Sequence, residues 1–317
     1  MISVLVGAFR TLVPRRASTV LLCAALAACQ TVPPGSSTPT VTPPPPQPPS
    51  ATVPTPPARP PRLGLALGGG AARGFAHIGV LQVLEEQGIR PDLVVGTSAG
   101  SVVAALYAAG KTPAQLASLA ASMDEYTISD WSYPLRGVIR GEALARYVSQ
   151  QVGGKRLEQM NMPLGVVATD LGTGEPILFQ RGDTGTAVRA SSAVPAVFQP
   201  VRINGREYVD GGLVSPVPVR FARQMGADVV IAVDISAVPE GNPVSDAMRL
   251  LLQTFAIMGR SINQFELREA DVVIRPKLNG VSSADFAARA RSIQAGREAA
   301  QAAIAEIKAK IAIAKAH

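Results

Sequence analysis

Between the apolar run Leu93-Val94-Val95 and the apolar stretch Val102 to Tyr107 stand six residues with no large side chain, Gly96-Thr97-Ser98-Ala99-Gly100-Ser101. Such a run lets a strand turn sharply into a helix while the two stay in contact. The helix that follows, "SVVAALYAAG", is apolar on nearly every face, and a helix of that kind is buried all round. A second junction of the same sort lies upstream, where "LGLALGGG" runs into glycines ahead of "RGFAHIGVLQVLEEQG".

The chain from Arg62 onward alternates in this way. A helix is expected after Thr112 ("TPAQLASLAASM") and another from about Gly141 to Val152. A strand pair, "LGVVATD" and "EPILFQ", flanks "LGTG", and a short helix runs through "TAVRASSAVP". Asn204-Gly205 between two extended runs is a hairpin signal. A helix ending near Gly226, the strand "ADVVIAVDIS", a helix around residues 245 to 267, the strand "ADVVIRP" and an Ala-rich terminal helix complete the series. In the last helix Ile304, Ile307 and Ile311 recur at helical spacing, a face that packs on the domain. Alternation of this sort implies an α/β fold, with a mostly parallel central sheet covered by helices on both faces and one antiparallel excursion at the hairpin.

The first 61 residues read differently. Arg10, Arg15 and Arg16 precede an apolar run, Ala17 to Ala28, that ends in "LAAC". A basic flank and a short apolar core describe a secretory signal over 1–28, too short for the roughly 20 residues a membrane span needs. The ending resembles the lipobox of bacterial lipoproteins, which implies cleavage before Cys29 and lipidation of its sulfur. Gln30 is not the aspartate that favours inner-membrane retention in that family, so the expected location is the cell envelope, anchored in the outer membrane and facing the periplasm. Residues 29–61 form the lipidated Cys29 and a proline-rich tether, with 14 prolines between Thr31 and Pro61, a composition that cannot bury a core. The folded domain is expected over 62–317. Both cysteines, Cys23 and Cys29, lie ahead of it, so it has no disulfide to draw on. Three of the seven excess positive charges lie in the signal, and aromatic residues make up 4% of the chain. A mild basic excess suits an anionic membrane surface, and the scarcity of aromatics argues against nucleic acid. The aromatic patch "DWSYPL", Asp130 to Leu135, is a candidate lipid contact or a packed loop.

Ser98 on its tight turn has the form of a nucleophile elbow. The glycine cluster Gly68-Gly69-Gly70 ahead of Arg73-Gly74 misses the dinucleotide fingerprint, because the third glycine would fall at Arg73. Backbone amides converging on an anion at a helix start fit it better, as a developing oxyanion requires. Both turns follow the carboxyl ends of strands, where open α/β sheets place their sites. A nucleophile needs a base, and the chain has two histidines, His77 and His317. His317 is terminal, and His77 sits at the start of the glycine-cluster helix with a local structural role open to it. A carboxylate is then the base. Asp170, Asp210 and Asp234 each end a strand: Asp170 precedes a turn, Asp234 can terminate its strand, and Asp210 is followed by Gly211-Gly212, which admit a close approach. A turn role is open to Asp210 as well. An aspartate serves as base near neutrality where burial raises its pKa.

Gly68-Gly69-Gly70 with Arg73-Gly74, Gly96-Thr97-Ser98-Ala99-Gly100, "RASSAVPAVFQPV" and Asp210-Gly211-Gly212 together resemble the patatin-like phospholipases, in particular the bacterial subgroup related to the catalytic domain of neuropathy target esterase. The resemblance runs from about Arg62 to at least Pro276. It implies a three-layer patatin-like fold, a Ser98–Asp210 dyad and an oxyanion hole formed by Gly69, Gly70 and Ala71. Gly68, Arg73, Gly74, Gly96, Gly100, Gly211 and Gly212 are implied in support, with Arg73 biasing the site electrostatically. The implied activity is acyl hydrolysis of lipid esters, of phospholipase A, lysophospholipase or esterase type, without metal or cofactor. Partners are then a fatty-acyl ester and, through the anchor, a membrane. A catalytically silent lipid-binding or regulatory lipoprotein and a transacylase are the alternatives. One departure stands out: two residues, Ala71 and Ala72, separate the glycines from Arg73 where the family has one, which shifts the oxyanion amides by up to one position.

Overall fold

The computed structural model describes residues 59–123, 130, 137–237, 246–282 and 284–316. The signal, Cys29, most of the tether, Trp131 to Leu135 and His317 lie outside the described residues. From the amino end the elements are β1 (Leu63–Leu67), α1 (Phe75–Glu86), β2 (Leu93–Thr97), α2 (Ala99–Ala108) and α3 (Pro113–Ser122). Next come β3 (Gly137–Ile139), α4 (Glu142–Gln151), β4 (Leu164–Asp170), β5 (Pro176–Phe179), α5 (Thr184–Ser191) and β6 (Ala196–Phe198). The remainder is β7 (Val201–Ile203), β8 (Arg206–Asp210), α6 (Val219–Gln224), β9 (Val229–Val233), α7 (Ala247–Glu266), β10 (Val272–Ile274) and α8 (Arg289–Ala316).

The main sheet runs β10-β9-β1-β2-β4-β8-β7, with β5 also paired to β4. Its pairs from β10 to β4 are parallel, as the strand and helix alternation requires. Alternate residues of one strand feed opposite faces: Leu63, Leu65 and Leu67 join a core with α1, α2 and α8, and Ala66 joins a second core with Phe221 and Ala222 of α6. A strand buried on both faces has no polar side, which is why "LGLAL" is apolar throughout. The mixed α/β fold and two covered faces match the sequence reading. Antiparallel pairing extends beyond the expected single excursion. β7 and β8 do form a hairpin, closed by Asn204 and Gly205 with φ of 49° and 80°, the positive angles of a type I′ turn. β8 then also returns antiparallel onto β4. A further element had no sequence signal: β3 and β6 form a separate two-stranded parallel sheet.

The terminal helix packs on α1 at backbone contact. A Cβ at Gly79 would come within 1.9 Å of the Ile293 carbonyl oxygen, and one at Gly296 within 2.0 Å of that of Ala76. Ile304 and Ile307 of α8 are buried, as their spacing predicts. Because no methyl fits between these helices, Gly296→Ala should push them apart and cost about 1–3 kcal/mol. The expected result is a lower urea midpoint with an unchanged slope.

Candidate functional site

β4 acts as the ruler of the site. β2 pairs with it in parallel, ending at Thr97 opposite Val167, and β8 pairs with it antiparallel, ending at Asp210 opposite Ala168. The other edge of β4 is taken by β5, which pairs with Val166 to Thr169. β2 and β8 therefore share one edge and approach head-on, their carboxyl ends meeting at two consecutive β4 residues. Ser98, directly after Thr97, and Asp210, at the end of β8, come together although 112 positions apart.

Ser98 occupies φ 52° and ψ −124°, a conformation that costs a non-glycine residue of order 1–3 kcal/mol and persists only where the surroundings enforce it. The enforcement is visible. The Ser98 N–H donates to the Ser191 Oγ at 2.9 Å, and the Ser191 hydroxyl donates to the Val167 carbonyl. The Ser98 carbonyl accepts from the Ser101 amide and hydroxyl, at 2.8 and 2.6 Å. Thr97 donates through Oγ1 to the Ser215 carbonyl, 2.8 Å away. The small residue at 100 is compulsory, since a Cβ there would sit 2.1 Å from the Leu67 carbonyl oxygen at the end of β1.

Asp210 is buried. Its N–H donates to the Ala193 carbonyl at 3.0 Å, and its carbonyl accepts from the Thr169 hydroxyl at 2.8 Å. Oδ1 accepts the Gly212 N–H at 2.7 Å. Oδ2 is also buried and has no partner of full hydrogen-bond geometry among the described residues. The Ser98 hydroxyl is nevertheless near enough to favour the charged carboxylate. Burial pushes the carboxyl up from 3.8 to about 6, against the opposing pull of Ser98 and the Gly212 amide. It is ionised at neutral pH yet far more basic than an ordinary aspartate.

The glycine loop is gripped peptide by peptide. The Gly68 carbonyl accepts from His77 Nε2 at 2.8 Å, and the Gly69 N–H donates to the Pro216 carbonyl at 2.9 Å. The Gly69 amide, expected as an oxyanion donor, is therefore committed within the protein. Gly70 and Ala71 keep amides with no carbonyl acceptor among the described residues. Arg73 donates from both its backbone N–H and Nε to the Gly70 carbonyl, at 3.2 and 3.3 Å. Because a trans peptide points its C=O and the next N–H in opposite directions, this grip aims the Ala71 N–H away from Arg73. Ala71 and Ala72 lie in a 3-10 turn over Ala71–Gly74, which Ala71 enters at φ 50°. His77 is fully buried and its pKa is lowered to about 4, chiefly by burial. It is neutral, and its hydrogen bond supports the loop, the structural role open to it from sequence. Asp170 and Asp234 take turn and strand-end roles, accepting the amides of Gly172 and Thr173, and of Ser236.

Sequence reasoning missed three contributors. Ser191 lay in a segment read as a short helix and as part of the family resemblance, with no role given to its hydroxyl. Ser215 and Glu266 carried no local signal. The segment Val214 to Pro216 binds all three parts of the site: the Ser215 amide to Gly211, the Ser215 carbonyl to Thr97 and the Pro216 carbonyl to Gly69. Glu266, buried on α7, holds the Ser215 hydroxyl at 2.6 Å and pairs with Arg220 at 3.2 Å. Burial raises its carboxyl to about 7 despite both partners.

These groups open into one cavity of about 540 Å³ lined by Gly69 to Gly74, Ser98 and Asp210. Its walls are apolar and include Val102, Leu106, Leu144, Val197, Leu252 and Phe255. A cavity of this size suits a small or drug-sized apolar ligand held by a few polar groups. Among the described residues no group of His, Cys, Asp and Glu is placed to hold a metal ion.

Residues 65–223 match the family model described as patatin-like phospholipase. An uncharacterized NTE family protein of Mycobacterium tuberculosis is 40% identical over 190 residues, which is 59% of this chain and 52% of that protein. The mouse patatin-like phospholipase domain-containing protein 6 is 36% identical over 186 residues, 56% of this chain and 14% of the mouse protein. The chain thus spans about half the length of the mycobacterial relative it matches. Among solved structures, VipD from Legionella pneumophila superposes with a TM-score of 0.52 at 16% identity, covering 77% of this chain and 66% of that one. That likeness is one of fold.

Because the Asp210 carboxyl lies higher in the fold than in the unfolded chain, the unfolded chain ionises first as pH rises, and stability falls between about 4 and about 6. Asp210→Asn removes that loss. It should raise the unfolding free energy at pH 8 by on the order of 2 kcal/mol, and by little at pH 3.5, as read from denaturant melts at the two pH values.

Proposed function

Since the chain belongs to the patatin-like phospholipase family, we propose that it is a serine acyl hydrolase of lipid esters working through a Ser98–Asp210 dyad. The carrying observation is the shared edge of β4, which brings a strained serine and a buried carboxyl together at the wall of an apolar cavity. Ser98 Oγ attacks the ester carbonyl as its proton passes to Asp210 Oδ2, the oxygen left without a full partner. The tetrahedral oxyanion accepts the Gly70 and Ala71 amides, which need no reorganisation because Arg73 and His77 already fix the loop. The leaving alcohol takes the proton, and Asp210 then draws one from water that attacks the acyl group on Ser98. The acyl chain occupies the apolar cavity. Cys29 carries the lipid anchor, and the proline-rich tether holds the domain at the periplasmic face of the outer membrane.

A short-chain nitrophenyl ester and a lysophospholipid should both be hydrolysed, and Ser98→Ala and Asp210→Asn should each cut turnover at least 10³-fold. A fluorophosphonate probe should label the wild-type chain and not Ser98→Ala; absence of label on the wild type would instead support a lipid-binding role without turnover. Release of acyl groups mainly to an added alcohol in place of water would mark a transacylase.

The base must be ionised, so kcat/KM should rise with pH through about 6 and level off above it. Glu266 titrates near 7, and Glu266→Gln separates the two. A rise that stays near 6 in this variant assigns it to Asp210; a rise that vanishes with Glu266 removes Asp210 as the titrating base.

A further inference from the structure

Helix α7 has two apolar faces, one turned to the cavity and one to solvent. Leu252, Phe255, Ala256 and Gly259 line the cavity that holds Ser98 and Asp210. At 100° per residue, Leu250, Ile257, Met258 and Phe265 fall together on the opposite side, and they are 58%, 54%, 47% and 65% exposed. Of the eight large hydrophobic side chains left exposed among the described residues, these four share the outer face, and Met248 and Leu252 lie on the cavity side of the same helix. A contiguous apolar patch of that kind marks an interaction surface.

Charge on the helix follows a pattern too. Its cap Asp246 pairs with Arg249 at 3.4 Å; from Ala247 to Phe265 the helix carries Arg249 and Arg260 and no acidic residue, and at 100° per residue both fall on one flank between the two apolar faces. Just beyond, the Arg268 guanidinium stacks over the Phe265 ring, 5.3 Å from its centroid. An apolar strip bordered by cations and by an aromatic ring is the composition of a helix that lies in the headgroup region of an anionic bilayer. No described helix is long and apolar enough to cross a membrane.

We propose that α7 is the membrane-docking element: its outer face, Leu250, Ile257, Met258 and Phe265, enters the surface of an anionic lipid bilayer while its inner face forms the wall of the acyl cavity. Arg260 and Arg268 meet the lipid phosphates. The helix is about 30 Å long and sinks by about 5–10 Å. A lipid drawn upward along it passes from the bilayer to Ser98 without crossing open water. Glu266, at the end of the same helix, ties the docking surface to the segment that positions Thr97, Gly69 and Gly211. The lipid-ester substrate is taken from the function proposed above; the docking itself stands on α7 alone.

The decisive experiment uses the full chain with Phe265→Trp and vesicles of phosphatidylethanolamine and phosphatidylglycerol carrying bromine on the acyl chains. Emission from the introduced indole should shift to the blue and be quenched by the brominated lipid at least twofold beyond the background of Trp131, with protection from aqueous acrylamide; vesicles of phosphatidylcholine alone should give less. An introduced indole that stays as accessible to acrylamide with vesicles as without them overturns the proposal. So does protection that appears without lipid and rises with protein concentration, which would mean a second copy covers the face. In parallel, Leu250→Glu/Ile257→Glu/Phe265→Glu should lower hydrolysis of vesicle phospholipid at least tenfold and leave a soluble short-chain ester within twofold. Equal loss on both substrates counts against docking as the role of these residues. If the wild-type chain hydrolyses neither substrate, the fluorescence of the Phe265→Trp chain still decides the docking, and only the catalytic reading falls.

Discussion

Two strands meeting end to end along one edge of β4 is the constraint from which the site follows. Parallel pairing delivers the carboxyl end of β2 and antiparallel pairing delivers that of β8, and neighbouring β4 residues receive them. A slip of the β8 register by one residue would turn Asp210 to the other face of the sheet. The hydrogen bonds around the junction serve this register. Ser191 clamps the Ser98 amide to β4, Thr169 clamps the Asp210 carbonyl, and the Val214 to Pro216 segment joins both strand ends to the glycine loop.

The electrostatics of the site come from what surrounds it rather than from an added charge. No cation pairs with Asp210 among the described residues; burial alone raises its carboxyl, while one amide and the serine hydroxyl keep it ionisable near neutrality. His77, the other candidate base within the fold, is held neutral by deeper burial, which outweighs the opposing pull of its bond to the Gly68 carbonyl. The same apolar packing that lines the cavity therefore sets the basicity of its carboxylate.

Much of this was legible in advance, and the reasons are physical. The strands β1, β2 and β9 are apolar on both faces because they are covered on both faces, so they stand out as runs. The turn at Ser98 stands out because close approach of β1 and α2 forbids side chains there. Asp210 was marked by Gly211-Gly212; Gly211 lies against the Val167 carbonyl of β4, and Gly212 lies against the Asp210 carboxyl. The committed Gly69 amide was not legible: its acceptor, Pro216, is remote in sequence, and nothing in "GGGAARG" tells a bound amide from a free one. Glu266 and Ser215 were silent for the same reason, since a single serine or glutamate on an amphipathic helix looks like solvated surface until its burial is known.

By itself, then, the sequence determined most of the local conformations, β3 and β6 apart: which segments are strands or helices, where the chain must turn without side chains, and which residue types stand at those turns. These depend on periodicity and steric bulk over a few neighbouring residues. Only the tertiary structure decided which carboxylate faces the serine, which loop amides stay free and which face of α7 is left uncovered. Those outcomes depend on strand order, register and burial, quantities set by contacts between residues tens to hundreds of positions apart, which no short stretch of chain encodes.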